Sequence, residues 1–508
     1  MNLYRTAAVV TVFSALEHGL GFLYRIILSR ILGSEGLGIY QVALTVFAVF
    51  LTMASSGLPI TLSRTMTAHR TKGNEKGTHA ATTAAILLTL AVSVPSVILL
   101  FCFRPLFTGI FSDPRCADLF YILVCALPFT SVYAIIRGNF WGNKRFFAYS
   151  LIELIEEIVM IVVGVVLLVF LQSGTQNVNL AAVAVIVSYF SSFAIAVFYF
   201  MRRGGKLCSP KGEISPLFRS SLPVTVMRTS SSLVNSLISV LFPLRLQAAG
   251  ASSHKALSEY GVVYGMVMPV LMIPSTLIGS IALVLVPEFS ECYYRNDREK
   301  LSALVEKALN ATLLIAGMLI PFYIVCGEDV GVMLYGNAAS GQMIARSALI
   351  LLPMSLTMIS TSLLNSMNCE KQTLLFFLCG SAAMLLSVWV LPQFLSGGAL
   401  LVGMAADYCI SAVCSLLLLR KKTGALRSKS YFAKLVLAAL PVVIVGCFAR
   451  ELFFRCLGFF PALLLTMIVV ALLELALYSF TKLLDVRTLF QRFFGKTKRK
   501  RPVSQANS

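Results

Sequence analysis

Long apolar segments alternate with short polar ones along almost the whole chain. The hydrocarbon core of a bilayer is about 30 Å thick, and a helix rising 1.5 Å per residue crosses it in about 20 residues. Apolar windows of that length predict an all-α integral membrane protein with about 14 transmembrane helices. The predicted spans are 6–31, 37–66, 80–103, 118–141, 148–171, 180–201, 218–249, 258–290, 301–326, 343–367, 373–395, 397–419, 431–454 and 461–480.

The first span is interrupted by ionisable side chains. The stretch LEHGLGFLYRIILSR, residues 16–30, contains Glu17, His18, Arg25 and Arg30. His18 and Arg25 are seven residues apart and share a helix face. A cation that faces lipid at mid-depth costs at least about 2.5 kcal/mol, so such residues almost always face a bundle interior or a watery cavity. The first helix is therefore predicted to line a polar interior, where its cations meet a carboxylate of the protein or an anionic substrate.

Three more arginines lie well inside predicted spans, and the same cost predicts that they too face the interior. They are Arg64, Arg228 and Arg245. Cations closer to helix ends can extend to the interface, so for these a role in topology or packing is predicted. This second group consists of Arg137, Arg219, Lys307, Lys434 and Arg450.

Acidic residues within the spans form another set of candidates. Glu153, Glu156 and Glu157 are three and four residues apart, which places them on one face of the fifth span. Asp407 lies in the apolar run LLVGMAADYCISAV. Together with Glu17, these groups are predicted either to form ion pairs with arginines or to bind a coupling cation, Na⁺ or H⁺.

The composition fits a membrane protein and excludes a soluble one. Of 508 residues, 58% are hydrophobic and 13% are charged, and the mean hydropathy is +0.85. Soluble domains carry about 25% charged residues. The net charge is +20, but the basic residues lie in short segments between apolar runs, so a nucleic-acid partner is not expected. The twelve cysteines are scattered, mostly in apolar stretches, and are predicted to be free thiols.

The distribution of positive charge predicts the topology. With the N-terminus taken as cytoplasmic, 27 of the 42 Lys and Arg residues fall in predicted cytoplasmic segments and 4 in outside segments. Because Lys and Arg resist translocation, this asymmetry predicts a multi-pass cell-membrane protein with both termini in the cytoplasm. The short start MNLYR has one cation and no convincing cleavage site follows, so it is predicted to remain as part of the first helix.

The order of the spans predicts two lobes. The first lobe covers 1–201 and the second covers 218–419, with six spans each, joined by the basic, Gly- and Pro-containing linker 202–217. Two extra helices follow at 431–480, and a basic tail at 481–508 is expected to contact anionic lipid. Such a layout is common in secondary transporters, where the substrate site lies between repeats near the midplane.

Several kinds of chemistry have no support in the sequence. There is no GxxxxGK[ST] motif for a built-in ATP motor, and no two of the four histidines have zinc-ligand spacing on one helix. A membrane glycosyltransferase is expected to carry a larger outside loop with acidic and histidine residues than any loop predicted here. The chain is therefore not expected to be an enzyme or to hold a cofactor or metal.

The segment GFLYRIILSRILGSEGLGIYQVA, followed by GLPITLSR, resembles the opening of one branch of a known transporter superfamily. This is the polysaccharide-transporter branch of the multidrug/oligosaccharidyl-lipid/polysaccharide (MOP) flippase superfamily, and the resemblance is strongest to the stage V sporulation protein B group. The seventh-span segment SLPVTVMRTSSSLVNSLISVLFPLRLQAAG and the eighth span are similar to the same group.

The resemblance implies a V-shaped bundle of two six-helix lobes with two additional C-terminal helices. It implies a flippase that moves undecaprenyl-diphosphate-linked oligosaccharides across the cytoplasmic membrane, with Arg25 and Arg64 lining the first lobe and Arg228 and Arg245 the second. A peptidoglycan precursor used in the spore cortex and a related polysaccharide unit are both compatible with it. This sequence departs from the lipid II flippases, which carry arginine directly after Gly-Phe-Ala, where Tyr24 stands here, and an acidic residue near the start of the second helix, where residues 37–40 have none. The resemblance therefore makes lipid II one candidate cargo without singling it out.

Two other functions stay open from the residues alone. One is a cation-coupled multidrug exporter of the same fold, which would be expected to have a carboxylate-lined cavity. The other is a membrane enzyme that acts on prenyl-linked glycans. The expected partners are the undecaprenyl-diphosphate-linked glycan, membrane lipids and cell-wall synthases.

Overall fold

The computed structural model describes residues 3–170, 178–424, 429–481 and 483, and within them the chain is helical without any β-strand. The first helices are α1 Leu3–Ser55, α2 Leu58–Thr71, α3 Glu75–Cys102, α4 Arg104–Thr108, α5 Pro114–Val124, α6 Leu127–Gly142, α7 Phe146–Phe170, α8 Asn179–Arg202, α9 Ile214–Ala248 and α10 Ser253–Tyr260. A π-helical segment, Gly261–Val267, comes next. The remaining α-helices are α11 Met268–Leu271, α12 Ile273–Tyr294, α13 Arg298–Tyr335, α14 Ala338–Ser347, α15 Leu351–Ser366, α16 Glu370–Val390, α17 Pro392–Leu395, α18 Gly398–Thr423, α19 Lys429–Cys456 and α20 Phe459–Phe480.

Nine helical segments in the described ranges are long and apolar enough to cross a membrane, and eleven are if each of two bent pairs counts as one span. The bent pairs are α5 with α6, at 50°, and the run from Ser253 to Leu271 with Ile273–Ala282, at 43°. The all-helical membrane fold is thus as predicted, whereas the number fourteen stays a prediction. The count of eleven is three lower than fourteen because three predicted spans are not counted separately. The helices α1 and α2 count as one long run, and α7, with three glutamates, and α9, rich in serine and arginine, are too polar to be counted.

The first two predicted spans are joined more directly than the sequence suggests. In place of a loop at 32–36, two helices meet in a kink at Gly33, whose φ of 69° and ψ of −176° are not helical. Only glycine adopts this region readily. The chain then breaks at Ser56–Gly57, and Pro59 stands in the first turn of α2, where its missing N–H costs nothing.

By internal contacts the chain forms two compact units. Unit 1 contains residues 1–276, 331–343 and 370–414, and unit 2 contains 277–330, 344–369 and 415–508. This division differs from the predicted lobes at 1–201 and 218–419, which stay a prediction. Most of the predicted tail 481–508 lies outside the described residues.

In unit 1 the helix α1 is the central element. Its fully buried side chains include Leu28, Leu32 and Phe47, and it packs on α5, α7, α9 and α10. The closest approach is to the π-helical segment, where Gly38 lies against the backbone of Leu257 and Gly261. A side chain at either glycine would collide with main-chain atoms, so the two glycines allow the two backbones to touch.

In unit 2 a proline in α13 explains how the last helix is attached. Pro321 has no N–H, so the carbonyl of Gly317, four residues earlier, loses its helical partner. The buried hydroxyl of Tyr478 in α20 donates a hydrogen bond of 2.7 Å to that carbonyl. About two turns earlier along α20, Val470 packs close to Gly446 of α19. The polar group freed by the proline is therefore satisfied by a neighbouring helix, as membrane helices require.

Candidate functional site

An ion pair lies within the membrane helices of the first predicted lobe. Arg137 of α6 donates a hydrogen bond from Nη1 to Oε1 of Glu153 in α7, at 3.1 Å. The side chains are 32% and 14% exposed. The guanidinium also lies 5.4 Å from the centre of the Trp141 ring. The sequence predicts that Arg137 serves topology or packing at a helix end, and the structure adds a specific acidic partner.

A signal for this pair is present in the sequence. Arg137 precedes the connection 142–147 by about the same number of residues as Glu153 follows it. Consecutive helices joined by a short loop run antiparallel, so two such residues come to the same depth. Counting from the loop in both directions pairs them.

The other three acidic candidates of this lobe surround the same region. Glu17 of α1 interacts electrostatically with Glu153, Glu157 and Arg137. The Glu157 carboxylate lies against Gly21 of α1. The structure therefore brings together the predicted carboxylates of α1 and α7.

Glu156 lies in an enclosed position next to α8. Its Oε2 atom is buried and has no hydrogen-bond partner among the described residues, while Ser192 of α8 lies beside the carboxyl group. A buried polar atom without a partner is costly, so it points to a role for the group. Across the described ranges, no three His, Cys, Asp or Glu side chains are arranged to hold a metal ion.

Several tyrosines also line this region, although no pattern in the sequence marks them. Tyr149 lies beside Glu153, and Tyr40 interacts with both Arg25 and Glu157. The buried hydroxyls of Tyr24 and Tyr133 have no hydrogen-bond partner in the part of the chain that the structure describes. Tyr189 of α8 is near Glu156 and Glu157 as well. The result is a polar centre, which we call the N-lobe cluster: Glu17, Arg25, Arg137, Glu153, Glu156, Glu157 and these five tyrosines.

Three of the four arginine candidates have free guanidinium groups. Arg25, Arg64 and Arg228 are exposed, and none of them makes an ion pair or hydrogen bond with another described residue. Arg25 interacts electrostatically with Glu157, but the two side chains form no ion pair or hydrogen bond with each other. His18, seven residues before Arg25, is exposed on the same stretch of α1. These cations are available to an anion from outside the protein.

Arg245 differs from the other three. Its Nε donates to the carbonyl of Trp389 at 3.0 Å, and its guanidinium lies 4.3 Å from the centre of the Trp389 ring. A guanidinium stacked on indole is already partly stabilised. The four arginines therefore do not have one common environment, and Arg245 is the one engaged by the protein itself.

Asp407 lies apart from the N-lobe cluster, on α18. Its carboxylate fills the space next to Gly380 of α16, beside Ser411. The Ser411 hydroxyl is 3.4 Å from the carbonyl of Phe376. The oxygens of a carboxylate, a hydroxyl and a main-chain carbonyl can coordinate Na⁺, and the carboxylate can instead bind a proton. No basic side chain forms an ion pair with Asp407 among the residues described here.

The fold is that of multi-pass membrane transporters of the MOP superfamily. The solved structure of the lipid II flippase MurJ in an inward closed conformation matches with a TM-score of 0.72 at 15% identity, covering 96% of this chain and 100% of that one. An inward-facing MATE-family multidrug transporter matches with a TM-score of 0.67 at 14% identity, covering 82% and 96%.

The sequence places the chain within one family of that class. Residues 3–293 match the polysaccharide biosynthesis protein family, and the chain belongs to this family. Stage V sporulation protein B of Bacillus subtilis is 24% identical over 335 residues, which is 63% of this chain and 64% of that protein. The lipid II flippase MurJ of Bacillus subtilis is 20% identical over 457 residues, 83% of each.

The matches to the first two relatives are partial. The chain spans a little under two thirds of their own length: 64% of stage V sporulation protein B and 62% of the sporulation protein YkvU from the same organism. The predicted membership in the polysaccharide-transporter branch, close to stage V sporulation protein B, is confirmed. So is the predicted MOP-type fold.

Proposed function

We propose that this protein is a flippase that moves an undecaprenyl-diphosphate-linked oligosaccharide across the cytoplasmic membrane by alternating access. The observation that carries the proposal is the set of free guanidinium groups on Arg25, Arg64 and Arg228 within membrane helices. A cation kept in a membrane helix without a protein partner marks a substrate or ion pathway. The relatives named a lipid II flippase and a sporulation protein support the same substrate class.

The chemistry of such a cargo matches these residues. A lipid-linked diphosphate carries negative charge that must pass a low-dielectric region. Guanidinium groups stay charged and bind phosphate oxygens through two parallel hydrogen bonds. They can replace the water of the headgroup while the prenyl chain remains in lipid. Arg25, Arg64 and Arg228 are the proposed contacts, with His18 beside them, and Arg245 contributes only if its contact with Trp389 opens.

The N-lobe cluster and Asp407 are the proposed coupling groups. Among the described residues Glu156 and Asp407 lack a direct basic partner, so either can take up a proton or a sodium ion without breaking an ion pair. Glu153 is engaged with Arg137 and is proposed to hold the cluster together. Glu17 and Glu157 are the remaining carboxylates of the cluster: Glu157 interacts electrostatically with Arg25, and Glu17 with Glu153, Glu157 and Arg137.

We place both termini in the cytoplasm, because 27 of 42 Lys and Arg residues then fall on the cytoplasmic side. The cargo proposed is a peptidoglycan precursor or a related polysaccharide unit, and cell-wall synthases that use the flipped product are the proposed partners. A reporter fused to the C-terminus tests the topology. Activity of the reporter outside the cell would contradict it.

The test of function is a flipping assay in proteoliposomes that contain an undecaprenyl-diphosphate-linked glycan. Arg25→Ala should lose nearly all transport, and Arg25→Lys should keep part of it, because lysine retains the charge but not the planar fork. Arg295→Ala is the matched control, since Arg295 is 75% exposed and pairs with Glu291 on its own helix end. Equal transport by Arg25→Ala and the control would refute a role of Arg25 in binding.

The four carboxylates of the N-lobe cluster support a second candidate, a cation-coupled exporter of cationic compounds. The same vesicles distinguish the two. Efflux of a cationic dye that Glu17→Gln abolishes, with no flipping of the glycan lipid, would favour the exporter. Flipping without dye efflux would favour the flippase.

A further inference from the structure

A second ionic cluster lies away from the proposed substrate contacts. Arg115 of α5 pairs with Glu35 of α1 at 2.5 Å and with Asp113 at 3.0 Å. The other oxygen of Glu35 lies 3.3 Å from Nε2 of His254 in α10. Ser253 of α10 donates a hydrogen bond of 2.7 Å to Asp113. Three separate segments, α1, the start of α5 and the start of α10, are thus connected by one network.

A second layer of contacts lies directly beside this network. The hydroxyls of Ser34 in α1 and Ser258 in α10 are 2.6 Å apart. One turn further, Gly38 and Gly261 bring the two backbones into contact. Such close main-chain contact leaves no gap for a headgroup or for water between α1 and the π-helical segment at this level.

Arg30 attaches the same part of α1 to a fourth segment. Its Nε donates to the carbonyl of Leu334 at 2.8 Å, and its Nη2 donates to the carbonyl of Met333. These carbonyls belong to the last turn of α13, which lacks helical donors and attracts a cation. Unlike Arg25, Arg30 is therefore engaged by the protein.

Most of these contacts are made by residues 30–38 of α1, with Gly33 in the middle of the segment; the bonds from Arg115 and Ser253 to Asp113 are the exceptions. The backbone at Gly33, with φ 69°, interrupts the helix and lets the part after the kink point differently from the part before it. The contacts on either side of the kink go to different elements. A change in the angle at Gly33 would therefore alter several of them together.

We propose that residues 30–38 of α1 form a latch that closes this end of the transport pathway, and that the latch must open in each flipping cycle. The inference rests on the proposed flippase function. Glu35 and Asp113 belong to the predicted first lobe and α10 to the second, so the latch joins the two. In the proposed topology it lies on the outer side of the membrane.

The charges of the latch explain why it holds and how it can be weakened. The side chains of Glu35 and Asp113 are 17% and 8% exposed, so both carboxylates depend on Arg115 for compensation. Burial acts to raise the pKa of Asp113, but hydrogen bonds from Arg115 and Ser253 outweigh it and hold that pKa below its usual value. Removal of Arg115 leaves two nearby carboxylates without their shared cation.

The first experiment needs no substrate. A cysteine at Ser34 is labelled with a membrane-impermeant maleimide in intact cells, with and without Arg115→Gln. Arg115 bonds to both Glu35 and Asp113, and each such bond is worth about tenfold or more, but water recovers part of the loss because the Arg115 side chain is 53% exposed. Labelling at position 34 should therefore accelerate about tenfold in Arg115→Gln, while labelling of the exposed native Cys456 stays the same. An unchanged rate at position 34 would overturn the latch.

The second experiment closes the latch covalently. The double variant Ser34→Cys/Ser258→Cys should form a disulfide under mild oxidation, because the native hydroxyls are in contact. The cross-linked protein should lose flipping in proteoliposomes and regain it after reduction. Thr82→Cys/Asn139→Cys is the control pair, since these side chains are 3.0 Å apart within the predicted first lobe and their cross-link does not join the two lobes.

The outcomes separate the latch from the proposed function. If no disulfide forms between positions 34 and 258, or if the cross-linked protein flips normally, the latch is wrong although the flippase stands. If the uncross-linked protein moves no prenyl-diphosphate glycan, the flippase proposal fails, while labelling at position 34 still decides whether Arg115 closes this surface.

Discussion

The ion pair between Arg137 and Glu153 provides a direct test of how arginines in this protein divide into structural and substrate-binding groups. Replacement of Arg137 by methionine keeps much of the side-chain volume and removes the charge. Glu153, 14% exposed, would then lose its one ion-pair partner among the described residues. Loss of one partner of a buried pair costs about 3–5 kcal/mol.

The lower end of that range applies here. Arg137 is 32% exposed, so water compensates part of the loss, and we expect about 3 kcal/mol, including a smaller contribution from the lost contact with Trp141. Stabilities of folded domains are about 5–15 kcal/mol, so the variant should be visibly depleted in the membrane. The double variant Arg137→Met/Glu153→Gln removes both charges and should recover to within about 1 kcal/mol of the native protein.

Arg25→Met is the matched comparison. Arg25 is exposed and has no ion pair or hydrogen bond with another described residue, so the change should alter the free energy of unfolding by about 0.5 kcal/mol or less. Its flipping activity should nevertheless be lost. Membrane abundance, unfolding midpoints in detergent and flipping are measured on the three variants together.

Two results would refute this reasoning. Normal abundance of Arg137→Met would mean that the ion pair contributes little. Low abundance of Arg25→Met, restored by a second change at Glu157, would make Arg25 an ion-pair residue and would remove it from the proposed substrate site.

Three further predictions concern the backbone, the last helix and pH. Gly33→Ala should destabilise the protein by about 1–3 kcal/mol, because alanine is strained at φ 69°; a normal unfolding midpoint would contradict this. Tyr478→Phe should cost about 1–3 kcal/mol by leaving the Gly317 carbonyl unsatisfied, but much less in a Pro321→Ala background, where the helical N–H returns; equal costs in both would refute the explanation. The pKa of Asp113 is lowered in the folded state, so its contribution is complete above the ordinary pKa of about 3.9 and is lost only as pH falls through the lower folded value. Titration of Asp113 should therefore leave the ratio of labelling rates at position 34 and at Cys456 unchanged down to about pH 4, and a rise in that ratio above pH 4 in a His254→Gln background would contradict this.

Much of the fold is readable from the sequence, because lipid requires each spanning segment to be apolar and helical. All fourteen predicted windows overlap helices of the structure wherever the residues are described. The predicted break at 32–36 takes the form of one non-helical residue: two helices meet in a kink at Gly33, without a longer loop between them. Composition marks a break in a helix, but it does not tell a loop from a bend.

The side-chain partnerships are harder to predict, since they depend on how each helix is rotated against its neighbours. Counting from the connection 142–147 places Arg137 and Glu153 at a similar depth, and the packing of α6 on α7 shows that the two side chains meet. Glu474, within the fourteenth predicted span, belongs to no sequence cluster, yet it is 5% exposed and has a buried oxygen to which no described residue makes a hydrogen bond. A single acidic residue in an apolar run is a signal that a search by clusters overlooks.

The arginines of the membrane helices are equally hard to tell apart by sequence. Arg25, Arg30 and Arg245 are each a cation in an apolar helix. In the structure, Arg30 holds the end of α13 and Arg245 lies on Trp389, whereas Arg25 has no hydrogen-bonded partner among the described residues. A guanidinium that already donates to protein carbonyls must give up those bonds before it can bind phosphate, so its affinity for a headgroup is reduced by their strength. The free arginines should therefore bind the cargo first, and the engaged ones should respond only when the helices that hold them move.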